Sequence, residues 1–168
     1  KHKGLPRDYN PRFIYEKIGY NFQILDLQAA MGRVQLRKAN KIKQLRKKNF
    51  DYLYKHLSKY EELTMPRIIE GADVCWFAFP LSVIDDRRTL LRYLEKNGIE
   101  TRPMFSGQIL EHPAYAHLKK DIDYRKVGWE GADFITKYSF WISLHPSLTQ
   151  DDLEYIIAVF DKFFHGKK

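Results

Sequence analysis

The sequence predicts an α+β domain: a small, three-stranded, mainly antiparallel sheet covered by helices, with one long helix leading into it. Three observations carry this. A helical pattern runs from Asp26 to about Ser58 with no proline to interrupt it. Three short runs of strand formers, at residues 74–83, 99–105 and 140–144, alternate with helix-compatible segments. A strongly signalled amphipathic helix then closes the chain. Strands and helices in that order pack as one sheet with helices laid on it.

Residues 1–18 hold Pro6, Pro11 and the aromatics Tyr9, Phe13 and Tyr15, the composition of an extended arm. Gly19 and Asn21 suit a turn, since both tolerate left-handed backbone. Asp26 is the expected N-cap of the long helix. Leu27, Met31 and Val34 fall on one stripe, and Ile42, Leu45, Leu53 and Leu57 continue an inward face. Over 26–58 such a helix is about 50 Å long, more than a small compact domain spans. Residues 61–73, with Pro66 and Gly71, are expected to be loop, and 74–83 is apolar enough for a buried strand. Asp85 and Asp86 are expected to cap a helix that turns Leu90, Leu91 and Leu94 inward. Asn97 and Gly98 should stop it, glycine taking the left-handed position. Residues 129–138 are helix-compatible. In the last helix Thr149 is the N-cap and Asp152 closes a capping box, with Leu153, Ile156, Ile157, Phe160, Phe163 and Phe164 on one face.

A chain of 168 residues with 44% hydrophobic and 15% aromatic content can bury a proper core. No apolar run approaches the ~18 residues that span a bilayer, so no membrane partner is expected. Cys75 is the single cysteine, which excludes an intrachain disulfide and fits a cytoplasmic protein. Beside Trp76 and Phe77 it is expected to be a small buried apolar residue. The net charge is +8, and much of it lies between Arg33 and Lys59, where only Asp51 is acidic. Such a face suits either a solvated helix surface or a basic nucleic-acid-binding module. The absence of any zinc-finger, homeodomain or RNA-binding motif argues for the first, and no nucleic-acid partner is expected. The six histidines show no ligand spacing and no cysteine partners, so no metal site is expected.

Three segments then resemble one known family. Gly19-Tyr20-Asn21, followed by Asp26, Gln28-Ala29-Ala30 and Gln35-Leu36, is the first. The second is the run from Asn97 to Gln108, Asn-Gly-Ile-Glu-Thr-Arg-Pro-Met-Phe-Ser-Gly-Gln, followed by His112-Pro113. The third runs from Ser139 to Thr149, Ser-Phe-Trp-Ile-Ser-Leu-His-Pro-Ser-Leu-Thr. In order and spacing these resemble the C-terminal part of the DegT/DnrJ/EryC1/StrS family, fold-type I enzymes that use pyridoxal phosphate to modify nucleotide-activated sugars. Thr-Arg-x-x-Phe-x-Gly and Phe-Trp-Ile are most similar to the 4-keto-6-deoxyhexose 3-dehydratases.

The resemblance implies a small C-terminal domain over 26–168, joined by helix 26–58 to a cofactor-binding domain, with 1–25 as the arm between them. Lys1 would then mark a cut inside a longer protein. It implies pyridoxal or pyridoxamine phosphate, whose ring acts as electron sink while the C3 hydroxyl of a nucleotide-linked 4-keto-6-deoxyhexose is lost. It also implies a homodimer and a role in surface polysaccharide or lipopolysaccharide synthesis. An iron–sulfur cluster bound upstream of this chain is possible. The catalytic lysine or histidine would also lie upstream, so this chain holds no catalytic residue and is expected to be inactive alone. C3 or C4 transamination is the alternative chemistry.

Asn21 is the expected cofactor contact, its amide donating to the phosphate in the neighbouring subunit. Arg102 is the expected substrate anchor, its planar fork suited to phosphate oxygens; a surface ion pair with Glu100 is the plainer alternative. Ser106, Gln108 and His112 follow on a loop where polar tips can meet sugar hydroxyls. Many relatives carry Asn in place of Gln108 and Gln in place of His112, which leaves the sugar open. Core packing is the expected role of Trp141, and a loop hydrogen bond that of His145.

Overall fold

The computed structural model describes residues 19, 20, 22, 24–120, 122 and 128–166. The arm at 1–18, Asn21 and most of the segment before Gly128 lie outside them. By internal contacts the chain divides into two compact units, Lys1–Lys38 and Ala39–Lys168.

Helix α1 runs over Asp26–Leu57, so the division falls within it. Its 32 residues span about 48 Å. Asp26 is the first helical residue, not the N-cap. The cap position belongs to Leu25, whose N–H donates to Gln28 Oε1 at 3.0 Å while its carbonyl accepts from Ala29 N–H. This is the returning half of a capping box, with glutamine supplying the acceptor. Leu27, Met31 and Val34 of the first unit are 71%, 63% and 45% exposed.

In the second unit, Leu63–Thr64 forms β1 and Ala78–Val83 forms β2. Arg87–Lys96 forms α2 and Thr101–Pro103 forms β3. Glu130–Tyr138 forms α3, Ser139–Ser143 forms β4, and Gln150–His165 forms α4. Short 3₁₀ turns at Ile109–Glu111 and Ala116–Lys120 lie between β3 and α3.

The sheet has four strands, not three, in the order β1-β2-β4-β3, and every pairing is antiparallel. The added strand is β1, two residues inside a segment expected to be loop, pairing Leu63 with Val83 and Thr64 with Ser82. Strand β2 begins at Ala78, four residues later than the apolar run. The residues before it are partly or largely exposed, and Cys75 is exposed, not buried. Pro80 sits mid-strand opposite Trp141.

Alternation along the strands sorts the core. Phe79, Leu81 and Val83 of β2 and Phe140 and Ile142 of β4 are buried. They join Phe50, Leu53 and Leu57 of α1, Leu90 and Leu94 of α2, and Leu153, Ile156, Ile157, Phe160 and Phe163 of α4 in one cluster. Phe50 stacks on Trp76 at 4.7 Å between ring centroids and meets Phe79 at 5.1 Å. Burying side chains of this size is worth about 1.5–3 kcal/mol each, more than any surface charge pair here. Asn49 is buried beside this cluster and donates to the carbonyl of His145 at 3.1 Å, tying α1 to the turn after β4.

Two helix ends follow the sequence closely. Thr149 and Asp152 complete a capping box on α4. The amide and hydroxyl hydrogen bonds from Thr149 hold the Asp152 carboxyl below the usual range. At the end of α2, Gly98 N–H donates to Glu95 O and Ile99 N–H to Leu94 O at 2.9 Å, with Gly98 at φ +75. This Schellman closure favours glycine at that position. The start of α2 differs from expectation. Asp86 does occupy the N-cap, but in left-handed backbone, with no side-chain cap bond.

Candidate functional site

The candidate residues of the second unit lie on one stretch, from the end of α2 through β3 into the loop beyond it. β3 is an edge strand, and its register sets Arg102 opposite Trp141. Arg102 forms an ion pair with Glu100, and the two side chains are 58% and 69% exposed. A pair so open to solvent contributes about 0–1 kcal/mol, so the guanidinium can exchange its partner at little cost. Thr101, its neighbour, points inward and donates to Glu95 Oε1 at 2.6 Å.

After β3 the chain turns sharply. Phe105 sits at φ 47, uncommon for a non-glycine residue, and its ring is 71% exposed. Phe105 N–H donates to Pro103 O, and Gly107 N–H to Met104 O at 3.0 Å. His112 returns to the turn: its Nε2 donates to the carbonyl of Ser106 at 2.7 Å, which sets the protonated nitrogen. Ser106 and His112 are thus brought together.

Gln108 is placed otherwise. It is 1% exposed, and its side chain caps the following 3₁₀ turn by accepting weakly from Leu110 N–H at 3.5 Å. Its Nε2 is buried with no partner among the described residues. Its backbone N–H donates to Thr136 Oγ1 of α3 at 2.6 Å. Sequence reasoning gave Thr136 no role, and no local pattern singles it out.

Trp141 is half-buried, its ring edge-on to Phe77 at 5.2 Å, while Phe77 faces Phe105 at 6.2 Å. The indole Nε1 of Trp141 is buried and has no hydrogen-bond partner among the described residues. His145 makes the expected loop bonds: Ser147 N–H donates to its Nδ1 at 3.2 Å, and the Ser147 hydroxyl lies 2.6 Å from the same nitrogen. Asn21, the expected cofactor contact, lies outside the described residues. Among the described residues no group of three or more His, Cys, Asp or Glu side chains is arranged to hold a metal. Two open clefts, of about 440 and 500 Å³, lie elsewhere. One is at Tyr54, Met65 and Ile68, the other at Lys59, Glu61, Asp85 and His165, and neither is lined by the four candidate residues.

The DegT/DnrJ/EryC1/StrS aminotransferase family model matches residues 1–161. The chain belongs to this family. Among relatives, it is 36% identical over 166 residues to the lipopolysaccharide biosynthesis protein RfbH of Salmonella typhimurium, covering 95% of this chain and 37% of that protein. It is 30% identical to a dTDP-4-dehydro-2,6-dideoxy-D-glucose 3-dehydratase of Saccharopolyspora spinosa, covering 95% of this chain and 35% of the relative. The family fold is equally plain in solved structures. An aminotransferase from Psychrobacter cryohalolentis aligns with a TM-score of 0.81 at 19% identity, over 96% of this chain and 44% of its own. An E. coli GDP-4-keto-6-deoxy-D-mannose-3-dehydratase with bound hydrated PLP aligns at 0.76 with 24% identity, over 92% of this chain and 40% of its own. The chain therefore spans a little over a third of the length of these curated relatives.

The resemblance implies a lysine or histidine held against the pyridoxal ring. Among the described residues no lysine or histidine is buried. No helix among them is long and apolar enough to cross a membrane.

Proposed function

We propose that the chain is the C-terminal domain, residues 26–168 with 1–25 as the linking arm, of a pyridoxal- or pyridoxamine-phosphate-dependent 3-dehydratase acting on a nucleotide-linked 4-keto-6-deoxyhexose in surface polysaccharide or lipopolysaccharide synthesis. The observation that carries this reading is the identity to RfbH and to a sugar 3-dehydratase along nearly the whole chain. In this reading the catalytic centre lies outside these residues. Asn21 donates to the cofactor phosphate of a second copy in a homodimer, and Arg102 leaves Glu100 to take an oxygen of the sugar-linked diphosphate. Ser106 and His112 form the rim that faces the sugar. The Gln108 side chain supports that rim from beneath.

Sugar transamination is the second reading, favoured by the description of the matching family as an aminotransferase family. The test is to supply the intact protein with pyridoxamine or pyridoxal phosphate, glutamate and GDP- or dTDP-linked 4-keto-6-deoxyhexose. Product mass then decides. Loss of the C3 oxygen supports dehydration, and gain of an amino nitrogen supports the second reading. No turnover of either sugar overturns both. Arg102→Ala should raise KM by about ten- to a hundredfold, the equivalent of one charge-assisted hydrogen bond. An unchanged KM removes Arg102 from the site.

A further inference from the structure

The loop that carries Ser106 is fastened to the rest of the domain at one unusual place. Thr136 stands in the last turn of α3, where a threonine hydroxyl can fold back on its own helix. It does so here, donating its one hydrogen to Ala132 O at 2.7 Å. That orientation leaves the oxygen's lone pairs directed outward, and Gln108 N–H, 28 residues earlier, donates into them at 2.6 Å.

The fit is steric as well as polar. Gly107 lies at φ +54, and a Cβ built there would collide with Thr136 Oγ1 and stand 3.1 Å from Thr136 Cα. Only a glycine lets the two backbones come this close. On one side of the contact are Phe105, at positive φ, and Ser106, tied to His112. On the other is Gln108, buried and capping the next turn. An exposed turn holding a strained non-glycine residue keeps its shape only when its surroundings over-determine it. Thr136 supplies one such contact from another element, beside His112 on the carbonyl of Ser106 and Phe77 against the ring of Phe105.

We propose that Thr136 is a positioning residue for substrate binding: through Gly107 and Gln108 it sets the shape of the loop at 104–108, and with it the reach of Ser106 and of the neighbouring Arg102. This rests on the reading of that loop as part of the nucleotide-sugar site. Thr136 itself does not touch the sugar. Its contribution is to have the rim in place before the substrate arrives, and a rim left to order on binding weakens affinity without touching the chemistry.

The test uses the intact protein with three variants. Thr136→Val keeps the shape and removes the hydroxyl, Thr136→Ser keeps the hydroxyl, and Gly107→Ala forces the collision. Thr136→Val is expected to raise KM for the nucleotide sugar three- to tenfold with kcat within twofold of the parent. Amide exchange at residues 105–108 should quicken by a similar factor, and Thr136→Ser should restore both. Gly107→Ala should raise KM further. A KM for Thr136→Val equal to the parent's overturns the proposal. So does a loss of kcat that follows the drop in thermal midpoint and is shared by Thr136→Ser, since that is the mark of a merely structural threonine. Failure of the functional reading is distinct: the parent protein itself would then turn over no nucleotide-linked keto sugar, and the positioning role would fall with it.

Discussion

Replacing Asp161 with Asn should destabilise the domain in a way that depends on pH. Asp161 lies on α4 and accepts from Lys59 Nζ at 2.6 Å and from the hydroxyl of Tyr60. Tyr60 is 6% exposed and packs its ring on Phe164 at 4.7 Å. The Lys59 and Asp161 side chains are 48% and 38% exposed, so their ion pair is screened and contributes about 0–1 kcal/mol. The bond from the buried Tyr60 hydroxyl to a charged acceptor is worth about 1.5–3 kcal/mol, and asparagine keeps a neutral acceptor worth roughly half of that. Together these give a loss of about 1–2 kcal/mol near neutral pH.

Burial raises the Asp161 carboxyl, but the hydrogen bonds from Lys59 and Tyr60 outweigh it and hold the group below the usual carboxylate range. A carboxyl depressed in the folded state stabilises the fold above its unfolded value of about 4 and loses that contribution as pH falls through the folded value. Tyr60 shows the opposite end of the same contact. Burial, then the bond to Asp161, push its phenol well up, so its contribution is complete below about pH 10 and is lost as pH rises further. The difference in unfolding free energy between parent and Asp161→Asn should therefore shrink as pH falls below about 4 and again as it rises above about 10. Urea unfolding followed by far-ultraviolet circular dichroism across a pH series measures it. Equal stability at pH 7, or a difference that does not narrow below about pH 4, would refute the reasoning.

Two further outcomes concern helix ends. Gly98→Ala should cost about 1–2 kcal/mol by the same measurement, purely from left-handed backbone, because no atom lies within 4 Å of the added Cβ. A neutral result would mean that the turn relaxes to negative φ. Thr149→Ala should cost about 1 kcal/mol through the lost cap on α4, and Thr149→Ser should recover most of it.

Features encoded within a few residues were legible. The capping box of Thr149 and Asp152 and the Asn97-Gly98 stop each depend on contacts three to five residues apart, and both stand where the pattern puts them. The core face of α4 follows from spacing alone. What failed was non-local or one residue out. Strand β1 is two residues long and exists because Ser82 and Val83 lie beside it, which nothing in Leu63-Thr64 announces. At the start of α1 the acceptor is Gln28 rather than Asp26, which moves the cap to Leu25. The aromatic neighbours of Cys75 suggest burial, but the buried strand begins only at Ala78.

The site was legible as a stretch of chain and less so as chemistry. Arg102 and Glu100 pair as their spacing allows, and Ser106 meets His112. Gln108, a polar residue in a loop, turned out to be enclosed. Thr136, which fixes that enclosure, has its partner 28 residues away and left no trace in the local pattern.

Pro80 has a consequence for how this domain behaves in a crowded cell. Strand β1 pairs with β2 only at Ser82 and Val83, so no strand among the described residues pairs with the preceding part of that margin. A proline nitrogen carries no hydrogen and is tolerated in a paired strand where it faces away from the ladder. Ringed and donorless, it denies a foreign peptide the regular hydrogen-bonding template along which unfinished sheets otherwise recruit one another into aggregates.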